Sequence, residues 1–299
     1  MTETAAQTDL GALGRSVGGI VDLMIGFPRA DAQRTYDFMK PALKERDQDT
    51  SQFPAGYMFK DVPNKLESDA DPIDETIAAM DRCGVAVGLI SATGDVATYA
   101  LKTYPERFKA SIDVDPNDVT KAVRRIRAAK DEWDIKAVTT FPAGLFPQVA
   151  VSDAKYYPIY QTCIDLGIPI VTNAGIAGPR VPSACQDVMH FDQVCYDFPE
   201  LVIVMRHGAE PWQQLAVKLM LKWPGLHYMT SAFAPKYYPA EIVEYANTRG
   251  VQKVMYAGYY PMGLSLDRIA QELTAVPFRE ETKAPFLREN ALRVFKLLD

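Results

Sequence analysis

The chain has 299 residues, of which 48% are hydrophobic, 10% aromatic and 23% charged, so it has enough apolar material for a large core. Its net charge is −6 and it contains no basic run, which argues against nucleic acid or an anionic membrane as a partner. No apolar run approaches the roughly 20 residues that span a bilayer, and the polar N-terminus does not resemble a secretory signal. The four cysteines form no CxxC pair. We therefore expect a cytoplasmic protein with free, buried thiols.

Short apolar, β-branched segments recur along the chain and predict strands. Eight such segments are found, at residues 19–25, 85–91, 108–114, 135–140, 168–173, 201–206, 226–231 and 253–258. Their apolar character is nearly continuous, as expected for strands that are covered on the outside by helices.

Helical patterns fill the intervals between these strands. The predicted helices lie at residues 73–83, 117–130, 152–166, 211–223, 239–249 and 265–275. Alternation of strands and helices predicts parallel strands with right-handed crossovers. Eight units favour an α/β fold of the (β/α)8 TIM-barrel type, formed by residues 1–299 as a single domain. An open doubly wound sheet is the alternative, although no Gly-rich phosphate motif follows the first strand.

Three segments lie outside the regular repeat. Residues 1–16 form an N-terminal tail, and residues 29–70 form an insertion after the first strand, a candidate lid over the barrel. Residues 276–299 form a C-terminal helical tail, whose apolar face we expect to pack on the barrel exterior.

Functional residues in such barrels lie at the C-terminal ends of the strands. Here the strand ends and the chain terminus read GGIVDLMIGFP, LGIPIVTNAG, FPELVIVMRHGAEPW, KVMYAGYYP and ENALRVFKL. In this order they resemble the amidohydrolase-related family, with its motifs IDxHxH, PVxxHxG, FPxLxxVxxHxGxPW, RVMFGSDYP and NAxRLF. This branch of the amidohydrolase superfamily includes decarboxylases and lactone hydrolases, and the resemblance runs from residue 19 to the C-terminus.

The resemblance implies a metal centre, but this chain lacks most of its ligands. The two first-strand histidines fall on Met24 and Gly26, the fifth-strand histidine on Asn173, and the eighth-strand aspartate on Tyr259. Only the sixth-strand histidine, His207, is retained. A divalent site needs about three converging nitrogen or oxygen ligands, so we predict no metal and no other cofactor. Some members of the superfamily work without a metal, so catalysis is not excluded.

The remaining polar strand-end residues suggest catalytic roles. His207 is predicted as the acid/base group, with Tyr259 and Asn173 polarising a substrate carbonyl. The alternatives are a histidine that only packs and a tyrosine that fills the space of a lost metal. By strand alternation, Arg206 should face away if His207 faces the pocket. Asp22 is expected to be a buried, hydrogen-bonded structural carboxylate.

Substrate contacts are predicted in the loops after the strands. Arg180 is the candidate for grasping an anionic group, although an exposed arginine is the alternative. The other predicted contacts are Met24, Thr140, Phe141, Phe233 and Tyr260. The dense aromatic content of these loops favours a bulky, largely apolar ligand.

Two functions follow from these residues. The first is a metal-independent hydrolase or carbon–carbon lyase that acts on an aromatic or cyclic small molecule. The alternative is an inactive barrel that binds a ligand or serves as partner subunit of an active relative. A third possibility is a metal site rebuilt from His207, Asp22 and Glu210. The resemblance also implies a homodimer, or a hetero-oligomer with a related barrel.

Overall fold

The computed structural model describes residues 9–29, 36–49, 53–59 and 70–297. Parts of the N-terminal tail and of the 29–70 insertion, and the last two residues of the C-terminal tail, therefore lie outside the described residues. Within the described ranges, no helix has the length and apolar character needed to cross a membrane.

Eight parallel strands form one sheet in sequential order, as expected for a (β/α)8 barrel. The strands are β1 (Ile20–Asp22), β2 (Val85–Ser91), β3 (Phe108–Asp113), β4 (Ala137–Thr140), β5 (Ile170–Asn173), β6 (Ile203–Arg206), β7 (Leu226–Thr230) and β8 (Val254–Tyr256). Each lies within one of the predicted segments, so the predicted TIM barrel is confirmed. The sequential strand order excludes the open doubly wound sheet, in which the order reverses.

Helices follow the strands and cover the outside of the sheet. They are α1 (Ala12–Ser16), α2 (Pro72–Cys83), α3 (Asp95–Thr103), α4 (Val119–Trp133), α5 (Tyr157–Leu166), α6 (His190–Asp197), α7 (Gln213–Lys222), α8 (Ala240–Ala246), α9 (Leu266–Leu273), α10 (Glu280–Ala284) and α11 (Asn290–Phe295). Local signals explain α2: Asp71 caps its N-terminus, Pro72 occupies the first turn, and Gly84 ends it with a left-handed φ of 74°. The sequence prediction missed α3 and α6, which are short and have no side-chain cap.

The seam between β8 and β1 is joined by an isolated bridge, Ile25–Tyr260, and by the carboxylate of Asp22. Asp22 Oδ1 accepts hydrogen bonds from the backbone N–H of Gly258 (2.7 Å) and of Met24 (3.0 Å). The Asp22 side chain is fully buried, and burial raises its pKa to about 6. Asp22 therefore has the structural role that its strand position predicts.

The C-terminal tail, which we expected on the barrel exterior, packs at the N-terminal end of the barrel and reaches its interior core. Phe295 and Val294 of α11 join the interior core beside Val21 and Val204. Between α10 and α11 the chain forms a π-helix (Pro285–Glu289). The tail thus forms a floor, and the opposite end of the barrel stays open for a site.

Candidate active site

A cavity of about 1850 Å³ opens at the C-terminal ends of the strands. The structure brings together around it all but one of the predicted site residues: Met24, Thr140, Phe141, Asn173, His207, Phe233, Tyr259 and Tyr260. The exception is Arg180, which does not line this cavity. The cavity lies where a TIM barrel carries its functional groups.

His207 reaches the cavity because the chain turns left-handed directly after β6. His207, Gly208 and Ala209 have φ values of 67°, 93° and 56°. Residues with a side chain rarely adopt this conformation, which costs about 1–3 kcal/mol each. The turn breaks strand alternation, so His207 and Arg206 line the same cavity. The expectation that they face opposite sides was therefore wrong.

The His207 ring is held by Ser231, which follows β7. Ser231 Oγ accepts the His207 backbone N–H at 3.2 Å and lies 2.8 Å from His207 Nδ1. Ser231 Oγ and Nδ1 share one hydrogen bond, whose donor depends on the tautomer of the ring, so Nε2 is the ring nitrogen left for a ligand. Burial, followed by the charge of Arg206, lowers the pKa of His207 well below its usual range. His207 is therefore a neutral imidazole at physiological pH.

Arg206 and Asn173 end the neighbouring strands β6 and β5, where they are paired in register. The Arg206 Nε–H donates to Asn173 Oδ1. Asn173 Oδ1 is thereby occupied, which leaves the side-chain amide N–H groups of Asn173 as donors. Arg206 brings a positive charge to the barrel mouth beside His207, which the sequence analysis did not expect.

Tyr259 packs beside His207 and supports the insertion. Its ring meets the His207 ring edge-on, with centroids 5.4 Å apart, and Phe53 and Phe59 of the insertion pack on it at 6.2 and 6.0 Å. Burial raises the Tyr259 pKa to about 12, so its hydroxyl is protonated at neutral pH. Tyr260, whose hydroxyl donates to Glu75 Oε1 at 3.4 Å, has a pKa raised to about 12 by burial.

Asp113, at the end of β3, is a cavity carboxylate that the sequence analysis missed. It accepts hydrogen bonds from Ser91 Oγ at 3.1 Å and from Thr139 Oγ1. The available signal was an acidic side chain at a strand end. The hydroxyl of Thr140, the neighbouring predicted contact, lies 2.9 Å from Tyr156 Oη and is buried in that pair.

Arg180 connects the β5 loop to the insertion. Its guanidinium lies over the Tyr57 ring, 4.5 Å from the centroid, and pairs with Asp47 at 3.3 Å. The Tyr57 hydroxyl donates to the carbonyl of Gly178 at 2.7 Å. Arg180, Tyr57 and Asp47 thus form a latch between the two segments that cover the mouth.

A family model described as Amidohydrolase matches residues 47–297. The chain belongs to the amidohydrolase family. The resemblance inferred from the strand-end motifs is confirmed, and the replaced ligand positions make the chain a divergent member of the family. No curated protein matches the sequence.

Solved structures resemble this chain over nearly its whole length. An uncharacterized TIM-barrel protein from Bordetella bronchiseptica is 22% identical, with a TM-score of 0.74 over 93% of this chain and 98% of that one. 5-Carboxyvanillate decarboxylase from Sphingomonas paucimobilis is 15% identical, with a TM-score of 0.67 and coverages of 93% and 99%. The 5-carboxyvanillate decarboxylase from Novosphingobium aromaticivorans, complexed with manganese and 4-hydroxy-3-methoxy-5-nitrobenzoic acid, is 16% identical, with a TM-score of 0.67 and coverages of 97% and 100%. At these identities the likeness shows the fold.

The residues at the family's ligand positions in this chain do not fit the divalent ion that the family implies. Met24 offers a soft thioether, Gly26 no side chain, and Tyr259 a protonated phenol. Asn173 already accepts from Arg206, whose charge repels a second cation. Within the described ranges, no three His, Cys, Asp or Glu side chains could hold an ion together. The set of His207, Asp22 and Glu210 does not converge either, because Asp22 is committed to the β1–β8 seam.

Proposed function

We propose that the protein is a metal-independent hydrolase or carbon–carbon lyase that acts on an aromatic or cyclic small molecule, with His207 as its acid/base group. One observation carries the proposal: His207, Tyr259 and Asn173, from three different strand ends, line one open cavity as neutral hydrogen-bonding groups. Catalytic groups of TIM barrels come from the ends of several strands in this way.

Three groups would stabilise negative charge on a substrate oxygen. The neutral His207 ring donates its Nε2–H, and a neutral imidazole can act as the electrophile of an enzyme. The Tyr259 hydroxyl and the Asn173 amide provide the other donors. Fixed donors of this kind are among the largest contributions to catalysis when they point to the position where charge develops. In a hydrolysis they would hold the tetrahedral oxyanion. In a lysis they would hold the enolate that remains when the carbon–carbon bond breaks.

Asp113 would supply the basic group of a hydrolysis. Its carboxylate lines the cavity and is oriented by the hydroxyls of Ser91 and Thr139. A carboxylate so positioned can accept a proton from an attacking water. As the leaving oxygen takes the Nε2 proton of His207, His207 would regain a proton from Asp113, so that no imidazolate is left and Asp113 returns to its charged form.

The cavity wall supports an aromatic substrate. Phe27, Phe141 and Phe233 lie among its lining residues, as do the apolar side chains of the insertion. Rings of this kind bind flat apolar molecules. The decarboxylases of the same fold, which act on a carboxylated aromatic ring, point to the same substrate class.

The non-catalytic alternative predicts a different structure at the open end of the barrel. An inactive barrel with lost ligands would be expected to fill the vacated space with Met24 and Tyr259. Both side chains instead lie in the wall of an open cavity, which supports an enzyme.

Removing the His207 ring tests the proposal. With a substrate found by screening lactones and aromatic carboxylic acids, His207→Ala should lower kcat/KM by about 10²–10⁴-fold. The control is His190→Ala, because His190 bonds Ser152 and the Ala184 carbonyl away from the cavity. The His190 variant should retain full activity. Retention of activity in the His207 variant would contradict the acid/base role.

Chelation and pH complete this test. Activity should survive dialysis against a chelator, and it should stay constant through neutral pH and fall only in acid, because the lowered His207 pKa keeps the ring neutral until then. A stoichiometric bound metal with chelator-sensitive turnover would overturn the metal-independent mechanism. Binding without turnover across the whole panel would favour the non-catalytic barrel.

A further inference from the structure

His227 is a buried histidine at the opposite end of the barrel from the cavity. It is the second residue of β7 and faces the barrel interior, two positions before the interior residue Met229. Its side chain is buried, and within residues 9–29, 36–49, 53–59 and 70–297 its Nδ1 has no hydrogen-bond partner. The other ring nitrogen is hydrogen-bonded to the backbone of Lys253. The ring therefore lies where the strands meet the floor, and the proposed mechanism does not use it.

The charged groups that face His227 are both cations. Lys253 lies just before β8 and donates its Nζ protons to backbone carbonyls, and Arg293 of α11 likewise donates to a carbonyl. On β6, the residue in register with His227 is the apolar Val204. Burial, followed by the charges of Lys253 and Arg293, lowers the pKa of His227 to about 3. Among the described residues no carboxylate forms an ion pair with the ring, so a proton on His227 would have no counterion.

The C-terminal tail covers this end of the barrel and can leave without breaking the sheet. It contributes no strand to the eight-stranded sheet. Side-chain bonds hold it in place: Asn290 Nδ2 donates to the carbonyls of Val251 (2.8 Å) and Val254 (3.0 Å), and Arg288 donates to the Gly19 carbonyl (2.9 Å). Chain ends that are attached in this way open locally at a lower free energy than the whole fold.

We propose that the floor is an acid-released closure, in which a proton on His227 detaches the C-terminal tail (residues 280–297) while the eight strands stay paired. In the closed floor an imidazolium would be cut off from water beside two cations, which is strongly unfavourable. In the opened floor water reaches the ring and removes this cost. The inference does not depend on the proposed function, because the cavity lies at the other end of the barrel.

Acid should open the floor by a predictable amount. An exposed imidazole takes up its proton near the ordinary pKa of 6.5, whereas the closed one does so only near 3. The closed floor therefore loses stability as pH falls from 6.5 toward 3, because the opened form binds the proton and the closed form does not. Between about pH 7.5 and about pH 5 the equilibrium constant for opening should rise roughly 30-fold.

Hydrogen exchange with mass spectrometry on the whole protein measures this opening. After correction for the intrinsic pH dependence of exchange, amides of residues 285–297 should show the 30-fold rise, whereas those of α4 should not. The readout is taken on the tail because global unfolding would mix in Asp22, whose protonation acts in the opposite direction. An unchanged opening constant in the tail would overturn the proposal. An equal rise in α4 would also overturn it, since the barrel would then be unfolding as a whole.

Two histidine variants assign the effect to this ring. His227→Gln keeps an N–H donor for the Lys253 backbone but cannot take up a proton, so its tail opening should change less than about threefold over the same pH range. The matched control is His190→Gln, which removes a histidine bonded to Ser152 and to the Ala184 carbonyl and should keep the wild-type response. A wild-type response in His227→Gln would show that another group controls the tail.

NMR of the unaltered protein keeps the proposal testable if His227→Gln does not fold. The chain has three histidines, so nitrogen-detected spectra can follow each imidazole through a pH titration. While the tail stays closed, His227 should remain neutral down to about pH 5. Titration of His227 near pH 6.5 with the tail still protected from exchange would mean that the closed floor accepts the charge, and the proposal would then be wrong.

Discussion

The turn after β6 decides which side chains meet in the site. A regular strand would have sent His207 to the helix side of the barrel, leaving Arg206 alone at the mouth. Three successive residues with positive φ bring the two together, and two of them carry side chains that make this backbone costly. Such strain persists only where the surroundings fix it, and Ser231 does so through two contacts with His207.

Gly208 is the residue of this turn that tolerates no side chain. A Cβ at Gly208 would overlap the Phe233 ring, whereas at Gly94, with a similar φ of 86°, it would meet nothing within 4 Å. Gly208→Ala should therefore destabilise the fold by more than the approximately 1–2 kcal/mol expected from left-handed backbone alone, and displace Phe233 from the cavity wall. Chemical unfolding of both variants measures this, with Gly94→Ala as the control for backbone strain. Equal losses in the two variants would show that the Phe233 contact is unimportant.

The insertion after β1 belongs to the site because it packs on Tyr259 and lines the cavity. Its described part is held from the other side by the latch of Arg180, Tyr57 and Asp47. We propose that this insertion is a lid and that Arg180 acts in holding it down. In that role Arg180 would change access to the cavity without touching the ligand.

Weakening the latch should loosen the lid. Arg180→Gln removes both the ring contact and the ion pair, so hydrogen exchange in residues 53–59 should become several times faster, while global stability changes by less than about 1 kcal/mol because the latch is exposed. Hydrogen exchange with mass spectrometry measures this without a ligand. Arg46→Gln is the control, because Arg46 also pairs with Asp47 but is 81% exposed and does not reach the β5 loop. Unchanged exchange in Arg180→Gln would contradict the latch.

At the scale of the whole molecule, periodicity and strand-end motifs were sufficient to predict the barrel, and eight of the nine predicted site residues line its cavity. Eight apolar segments separated by helical ones admit few other folds. The sequence could not reveal that Arg206 and His207 face the same cavity, because His207 is turned inward by the positive φ values of residues 207–209, which residue type does not predict. Asp113 was missed because it belongs to no motif of the family. The floor made by the C-terminal tail depends on packing between residues more than 250 positions apart, such as Val21 and Phe295.

Closure of the barrel should depend on pH through Asp22. Its pKa is about 6 when folded, against 3.8 for an ordinary aspartate, so between these values the folded state takes up a proton before the unfolded state does. Asp22 therefore adds stability as pH falls through this window, and its burial is fully unfavourable above about pH 6. Asp22→Asn keeps an acceptor for Gly258 and removes the charge. Its stability relative to wild type should be greatest at pH 7 and fall by an amount on the order of 2–3 kcal/mol toward pH 4.

Urea unfolding at several pH values measures this difference. Asp131→Asn, on the exposed face of α4, is the control and should track wild type at every pH. If the difference in unfolding free energy between Asp22→Asn and wild type stayed constant with pH, the charge of Asp22 would not be the source of its burial cost.

The seam at Asp22 also has a consequence for how fast the molecule forms. The bond from Gly258 to Asp22 links residues 236 positions apart, and the one from Arg288 to the Gly19 carbonyl links residues 269 apart. Neighbouring strands can pair progressively along the chain, but these contacts must wait until both ends of the ring have been ordered. Changes at the seam should therefore speed unfolding far more than they slow folding, since contacts made after the transition state act on the unfolding rate. The residue that closes the ring would thus set the lifetime of the native protein.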